Sequence, residues 1–474
     1  MKKTLKYETI FYGISKYATV CVTLLTTSIL SRILTPSEYG IVSVITVFTA
    51  FFSILADLGL GTAVIQNKTL SDVEIDDIFS FSVWMALIFG VSFALLGFPI
   101  AWFYNNLIYK KICLFLSVSV IFNAVNIIPN AILMKNKKFV LVGKRLIIAA
   151  LATGAIAIIM AMTGFSYYAL IFQSVFQSIF IFFWNWINTK VRFRLKIKIQ
   201  SIQKVRDFSF YQFAYNFINY FARNLDNLLV GKVMGSENLA YYDKGYRLMM
   251  YPVQNLTYVI NPVVHPILSE YQKDKKFIYQ SYLKIVRILS LIGVFITFLC
   301  FWGSKEIILI FFGNQWNAAI PIFRMLSLSV WPQLISTSAG SIYQSTGNTK
   351  LMFKSGIVHF SITILLIIIG VCTGDLKTVA LLVTASLYMR FFVDYYFLIV
   401  KNFKYSMWDF LVTFRYETVI ALGLLAAIIV ADKYIIFENI IFSLMSKGLV
   451  LGIVYIVMIV ITGQYRNLRN VKNN

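Results

Sequence analysis

Residues 78–103 read IFSFSVWMALIFGVSFALLGFPIAWF, an apolar run without one ionisable side chain. A helix that crosses a bilayer needs about 20 such residues, so this stretch is expected to span a membrane. Runs of the same kind recur in both directions, near 8–31, 40–65, 112–134, 141–163, 166–189, 208–234, 241–268, 284–303, 318–346, 352–372, 376–400, 413–431 and 443–462. Together they make about fourteen candidate spans. The joints between them carry turn formers such as Thr35-Pro36-Ser37, Asn105-Asn106, Gly235-Ser236 and Gly374-Asp375. The eighth and tenth runs are the least regular, broken by Pro252, Pro262, Pro266, Pro321 and Pro332. The fold class that follows is an all-α polytopic membrane protein.

Composition agrees. The 474 residues are 59% hydrophobic and only 13% charged, with mean hydropathy +0.75, whereas a soluble domain is about 25% charged. That leaves little room for a soluble catalytic domain. Lys and Arg number 43 against 20 Asp and Glu, a net charge of +23. In a soluble chain this would suggest nucleic acid; here it follows from the excess of basic residues in cytoplasmic loops, and no nucleic-acid partner is expected. With the N-terminus in the cytoplasm, inside segments outweigh outside ones in basic residues by roughly three to one, which places both termini inside. The N-terminal apolar run is too long for a cleaved signal and is read as a retained first helix.

The richest inside loop, Lys190–Arg206, alternates Lys190, Arg192, Arg194, Lys196 and Lys198 with Val191, Phe193, Leu195, Ile197 and Ile199. This pattern suits a linker on the anionic inner leaflet. It divides the chain into an N-terminal lobe (1–190, spans 1–6), the linker (191–207), a C-terminal lobe (208–401, spans 7–12) and spans 13–14 with the tail (402–474). The inside loop 66–77 is instead acidic, with Asp72, Glu74, Asp76 and Asp77. A faint echo, Ser37-Glu38-Tyr39-Gly40 against Ser236-Glu237 followed by Tyr241-Tyr242, hints at a parallel repeat.

The run Ser31-Arg32-Ile33-Leu34-Thr35-Pro36-Ser37-Glu38-Tyr39-Gly40, the segment Asp57-Leu58-Gly59-Leu60-Gly61-Thr62-Ala63-Val64-Ile65-Gln66, the later Asn224-Leu225-Asp226-Asn227-Leu228-Leu229-Val230-Gly231 and the turn Gly347-Asn348-Thr349-Lys350 occur in consistent order. This ordered set resembles the Wzx-type and teichuronic-acid-exporter-type polysaccharide flippases, within the superfamily of multidrug (MATE) and lipid-linked sugar exporters. The resemblance implies two six-helix lobes in a V plus two C-terminal helices. It further implies alternating access that carries undecaprenyl-diphosphate-linked oligosaccharide from the inner to the outer leaflet of a bacterial inner membrane. Lipid-linked oligosaccharide, membrane lipids, and the polymerase and chain-length machinery of the pathway are the implied partners.

Charges inside spans narrow the site. A bare charge at the bilayer centre costs at least about 2.5–3.5 kcal/mol, so each needs a partner or a wet cavity. Lys16, Arg223 and Arg324 are the expected substrate-binding cations, because several desolvated cations can replace the hydration of a diphosphate. Arg32, Asp57, Asp226, Arg390 and Asp394 are expected to gate or to hold structure: Arg223 with Asp226 and Arg390 with Asp394 share helix faces. His265 and His359 have no ligand set around them in sequence, so no metal is expected. His265 is read as a packed or interfacial residue rather than a proton switch. Cys21, Cys113, Cys300 and Cys372 read as small core residues. No P-loop, zinc-protease, nucleophilic-triad or dinucleotide motif stands out, so neither cofactor nor enzymatic activity is expected. The alternatives are an ion-coupled multidrug antiporter, which would favour acidic cavity residues, and a membrane polysaccharide polymerase, which would favour a large outer loop.

Overall fold

The computed structural model describes residues 2–67, 69–204, 220, 224–269, 271, 274–434 and 437–465. All regular structure among them is helical. The chain forms two compact units, Met1–Ala240 and Tyr241–Asn474.

In the first unit, α1 (Lys2–Ile33), α2 (Pro36–Asp57), α3 (Leu60–Gln66), α4 (Asp72–Phe103), α5 (Ile108–Val125), α6 (Ile127–Lys135), α7 (Phe139–Met162) and α8 (Tyr168–Thr189) follow one another closely. Local chemistry sets their ends. Thr35 accepts the Glu38 N–H while Glu38 accepts the Thr35 N–H at 2.7 Å, and Pro36 occupies the first helical position. Ser71 and Glu74 repeat the device at the start of α4. Between α2 and α3 both Leu58 (φ 45°) and Gly59 (φ 71°) are left-handed, a reversal that glycine makes without strain. Helices α1 and α7 lie close because Gly143 and Gly154 face Ser15 and Thr26, the small-residue packing that replaces hydrophobic drive in lipid. Large apolar side chains such as Leu25, Val91, Leu95 and Phe98 stay exposed, as a lipid-facing surface requires.

Residues 224–233 are helical, and α9 (Ser236–Ser269) starts in this unit. This late segment packs on α2 and on the end of α4. The Tyr220 hydroxyl bonds the Val47 carbonyl, Tyr104 Oη donates to Leu228 O at 3.4 Å, and Lys232 Nζ reaches Phe103 O. At Gly40 the approach is so close that a Cβ would overlap the Ser236 carbonyl.

In the second unit come α10 (Lys275–Trp302), α11 (Ser304–Phe312), α12 (Ala319–Ser327), α13 (Val330–Ser336), α14 (Ala339–Ser345), α15 (Thr349–Cys372), α16 (Leu376–Tyr395) with a π-helical continuation over Tyr396–Phe403, α17 (Met407–Val412), α18 (Arg415–Ala431) and α19 (Ile440–Ile461). Its core is aromatic: Tyr282, Phe391, Tyr395, Phe410 and Phe414 are buried together. The Tyr282 and Tyr395 hydroxyls lie 2.6 Å apart, and Tyr395 donates on to the Ile335 carbonyl at 3.0 Å.

Among the described residues, ten helices are long and apolar enough to cross a membrane. The chain is thus a multi-pass helical membrane protein, and the expected count of fourteen is not reached by that measure. The reasons are specific. Most of the seventh run falls outside the described residues. The eighth, α9, carries Asp243, Lys244 and Arg247 in its first half. The tenth is broken into α12–α14, with Pro321 and Pro332 each in the first turn of a short helix, where the missing N–H costs nothing. The thirteenth, α18, is 17 residues long.

Candidate functional site

In the first unit the expected site residues are spread along the helices. Lys16 is half-buried on α1, one residue beyond the Ser15 that meets Gly143. Arg32 is exposed in the last turn of α1. Asp57 closes α2 and accepts the Gly61 N–H at 3.3 Å across the left-handed reversal. Asp226 is 5% exposed, its Oδ1 accepting the Asn227 N–H at 2.8 Å. Arg223, expected to pair with Asp226 and to bind substrate, lies outside the described residues. So does the His265 side chain.

Two clusters in this unit were not anticipated. Arg145 is only 6% exposed. Its guanidinium donates to Asn130 Oδ1 at 3.0 Å and Asn185 Oδ1 at 2.8 Å, while Asn185 donates to Asn126 Oδ1 at 2.7 Å. Among the described residues no carboxylate pairs with it, so its charge is spread over neutral amides. The signal for Arg145 in the sequence is its position seven residues into an apolar helix.

The second cluster explains the acidic loop. Asp76 Oδ1 accepts the Arg192 N–H at 2.9 Å and its Oδ2 pairs with Arg194 at 3.1 Å. The Arg194 N–H reaches Ser80 Oγ at 2.8 Å, Ser201 donates to Asp77 Oδ2 at 2.7 Å, and Lys204 pairs with Glu74. Val191 is buried and Phe193 meets Trp84, whereas Leu195 and Ile199 stay exposed. The basic linker is therefore held by the start of α4.

In the second unit, Arg324 closes α12, half-buried. Its Nε donates to Ser304 Oγ at 2.9 Å and its guanidinium lies 5.8 Å from the Phe301 ring centre. Among the described residues no carboxylate pairs with it. Lys244 on α9 is 4% exposed, with its ammonium 4.7 Å from the Phe312 ring and 5.1 Å from the Trp316 ring. Next to it, Gly245 packs on Ile322 and Phe323, which precede Arg324. Arg247, three residues on, is paired with Asp243 at 2.8 Å. Lys244 and Arg247 lie inside the eighth apolar run, and their position in that run was the signal for them.

Arg390 and Asp394 are brought together, Nε to Oδ2 at 3.4 Å. Asp394 also meets His359 Nδ1 at 3.1 Å and accepts from Ser355 Oγ at 3.0 Å, while Tyr343 donates to its backbone carbonyl at 2.9 Å. His359 thus has a carboxylate partner 35 residues away in the chain, invisible to spacing rules. A separate buried pair, Glu306 with Lys447 at 2.7 Å, joins α11 to α19 and takes in Ser443 and the Trp302 carbonyl. Among the described residues no group of three or more His, Cys, Asp or Glu is placed to hold a metal.

Residues 29–321 match the model of the family described as polysaccharide biosynthesis protein. The chain belongs to that family. Relatives of this polysaccharide biosynthesis protein include the lipopolysaccharide biosynthesis protein WzxC of Escherichia coli, 24% identical over 72% of this chain and 70% of that one. The teichuronic acid biosynthesis protein TuaB of Bacillus subtilis is 23% identical over 77% of this chain and 76% of its own. Among solved structures, the lipid II flippase MurJ in an inward closed conformation matches with TM-score 0.75 and 16% identity over 97% of this chain and 99% of that one. That likeness places the polysaccharide biosynthesis protein in the MurJ fold. Of the expected site residues, Arg32, Asp57, Arg223 and Asp226 fall inside the family match, whereas Lys16, Arg324, Arg390 and Asp394 lie outside it.

Proposed function

We propose that this polysaccharide biosynthesis protein flips an undecaprenyl-diphosphate-linked oligosaccharide from the inner to the outer leaflet of the bacterial cytoplasmic membrane by alternating access. Membership of the family carries the reading. WzxC and TuaB, named for lipopolysaccharide and teichuronic acid biosynthesis, and MurJ, named as a lipid II flippase, support it. The lobes are 1–190 and 208–401, joined by the linker 191–207 and followed by 402–474, with both termini cytoplasmic. The polymerase and chain-length machinery of the pathway act next on the product. The chain carries out transport and no bond-making step.

Lys16, Arg223 and Arg324 serve the diphosphate. Arg324 best supports this part, since a cation held among the described residues by a serine hydroxyl and a phenyl face keeps hydrogen-bonding capacity for a phosphate. Deletion of the gene should leave labelled lipid-linked sugar on the inner leaflet, and restoring the wild-type gene should clear it. The Arg324→Ala variant should reach the membrane yet restore less than about a tenth of export, the effect of losing roughly 1.5–3 kcal/mol of charge-assisted hydrogen bonding. Arg324→Lys should recover part of it. Outer-leaflet sugar at wild-type level in the deletion strain would end the flippase reading; full export by Arg324→Ala would end only its role.

A further inference from the structure

Among the described residues, three carboxylates of the second unit are buried. Asp394 has Arg390, His359 and Ser355 around it, and Glu306 has Lys447 and Ser443. Glu417 has nothing of the kind. It is 2% exposed, and among the described residues neither of its carboxylate oxygens has a hydrogen-bond partner. It stands in the first turn of α18, against α10 and α19, at the edge of an apolar cluster of Leu291, Val294, Ile420, Leu424 and Leu451.

The charged and titratable groups set against it are few. From α10 comes Arg287, which among the described residues forms no ion pair with Glu417. From α19 comes Tyr455, whose hydroxyl is spent on the Leu291 carbonyl at 2.9 Å. On α18 itself Arg415 and Tyr416 are bonded to each other, 2.9 Å apart. An ionised carboxylate with both oxygens buried and unpaired is among the costliest states a protein can hold, and such a group takes up a proton instead.

We propose that Glu417 is a proton-binding site: its carboxyl group carries a proton in this conformation and releases it as pH rises. The step is a simple ionisation, with the proton passing to water and the charge left on the carboxylate beside Arg287. A metal ion is the poorer occupant, since no second carboxylate or histidine ligand set surrounds it among the described residues. The proposal stands on the burial of this one group and not on the identity of the transported sugar.

The test is infrared titration of the purified full-length protein in nanodiscs, wild type against Glu417→Gln, in sodium and in choline buffers. The wild type should show the carbonyl stretch of a protonated carboxylic acid at neutral pH, missing from Glu417→Gln and shifted in Glu417→Asp. Thermal unfolding gives a second reading. Between the usual carboxylate range and the point where the folded protein releases the proton, only the folded state holds it, so wild-type stability should fall as pH rises. In Glu417→Gln that slope should flatten, with the melting temperature dropping less between pH 5 and 8. If Glu417→Gln does not fold, the wild-type band and its pH dependence decide alone. Absence of the band at neutral pH, its persistence in Glu417→Gln, or its appearance only when sodium is withdrawn would each overturn the proposal.

Discussion

Gly40→Leu is expected to abolish polymer export while the protein still accumulates in the membrane. The Gly40 α-carbon faces the backbone carbonyl of Ser236, and a Cβ there would overlap it. The obstacle is main chain, so no rotamer change relieves it; the start of α9 would have to leave α2. Overpacking of this kind costs about 1–3 kcal/mol even where neighbours yield, and leucine adds three more carbons to the clash. Gly40→Ala should show a smaller loss of the same kind. Gly13 supplies the control, since nothing lies within 4 Å of a Cβ added there, and Gly13→Ala should export normally. The measurement is surface polysaccharide in a complemented deletion strain, with membrane abundance checked in parallel. Wild-type export by Gly40→Leu would mean that the working protein does not keep this contact.

Lys447→Ala should cost the folded protein about 3–5 kcal/mol, the usual penalty for leaving one member of a buried ion pair alone. Glu306 would keep only Ser443, in a place where it is 5% exposed and its second oxygen already lacks a partner. The thermal unfolding midpoint in detergent should fall clearly at neutral pH. The double variant Glu306→Gln/Lys447→Met should recover most of the loss, because two neutral side chains need no counter-charge. A double variant as unstable as Lys447→Ala would show that packing around Trp302, and not charge, holds α19 to α11.

Several local features are legible in the sequence. Thr35-Pro36-Ser37-Glu38 contains a cap, a first-turn proline and a reciprocal carboxylate within four residues, and the helix begins there. The prolines that made the eighth and tenth runs irregular mark a polar helix and a set of short ones. Arg390 and Asp394, four apart, meet as helical geometry requires. What stayed hidden depends on partners far away in sequence. The acidic start of α4 looked like an exception to loop charge until Arg194, Ser201 and Lys204 were placed beside it. Arg145 and Lys447 read as ordinary basic residues because their burial is decided by other helices. Glu417 has no sequence signature, since its distinction is that no described residue hydrogen-bonds its carboxylate. Of the three expected substrate-binding cations, Lys16 and Arg324 belong to different units, and Arg223 lies outside the described residues.

The clasp between the basic segment and α4 bears on how the polypeptide tolerates being severed. Trypsin would find Lys196 and Lys198 in a stretch without regular structure, yet the downstream portion is anchored beyond the scission point by Ser201 on Asp77, Lys204 on Glu74 and Ser236 under Gly40. A nick there interrupts the backbone without freeing either fragment. Genes encoding the two pieces separately would therefore yield products already equipped to reassociate, with the seam lying in the middle of a fastened body and not at its margin.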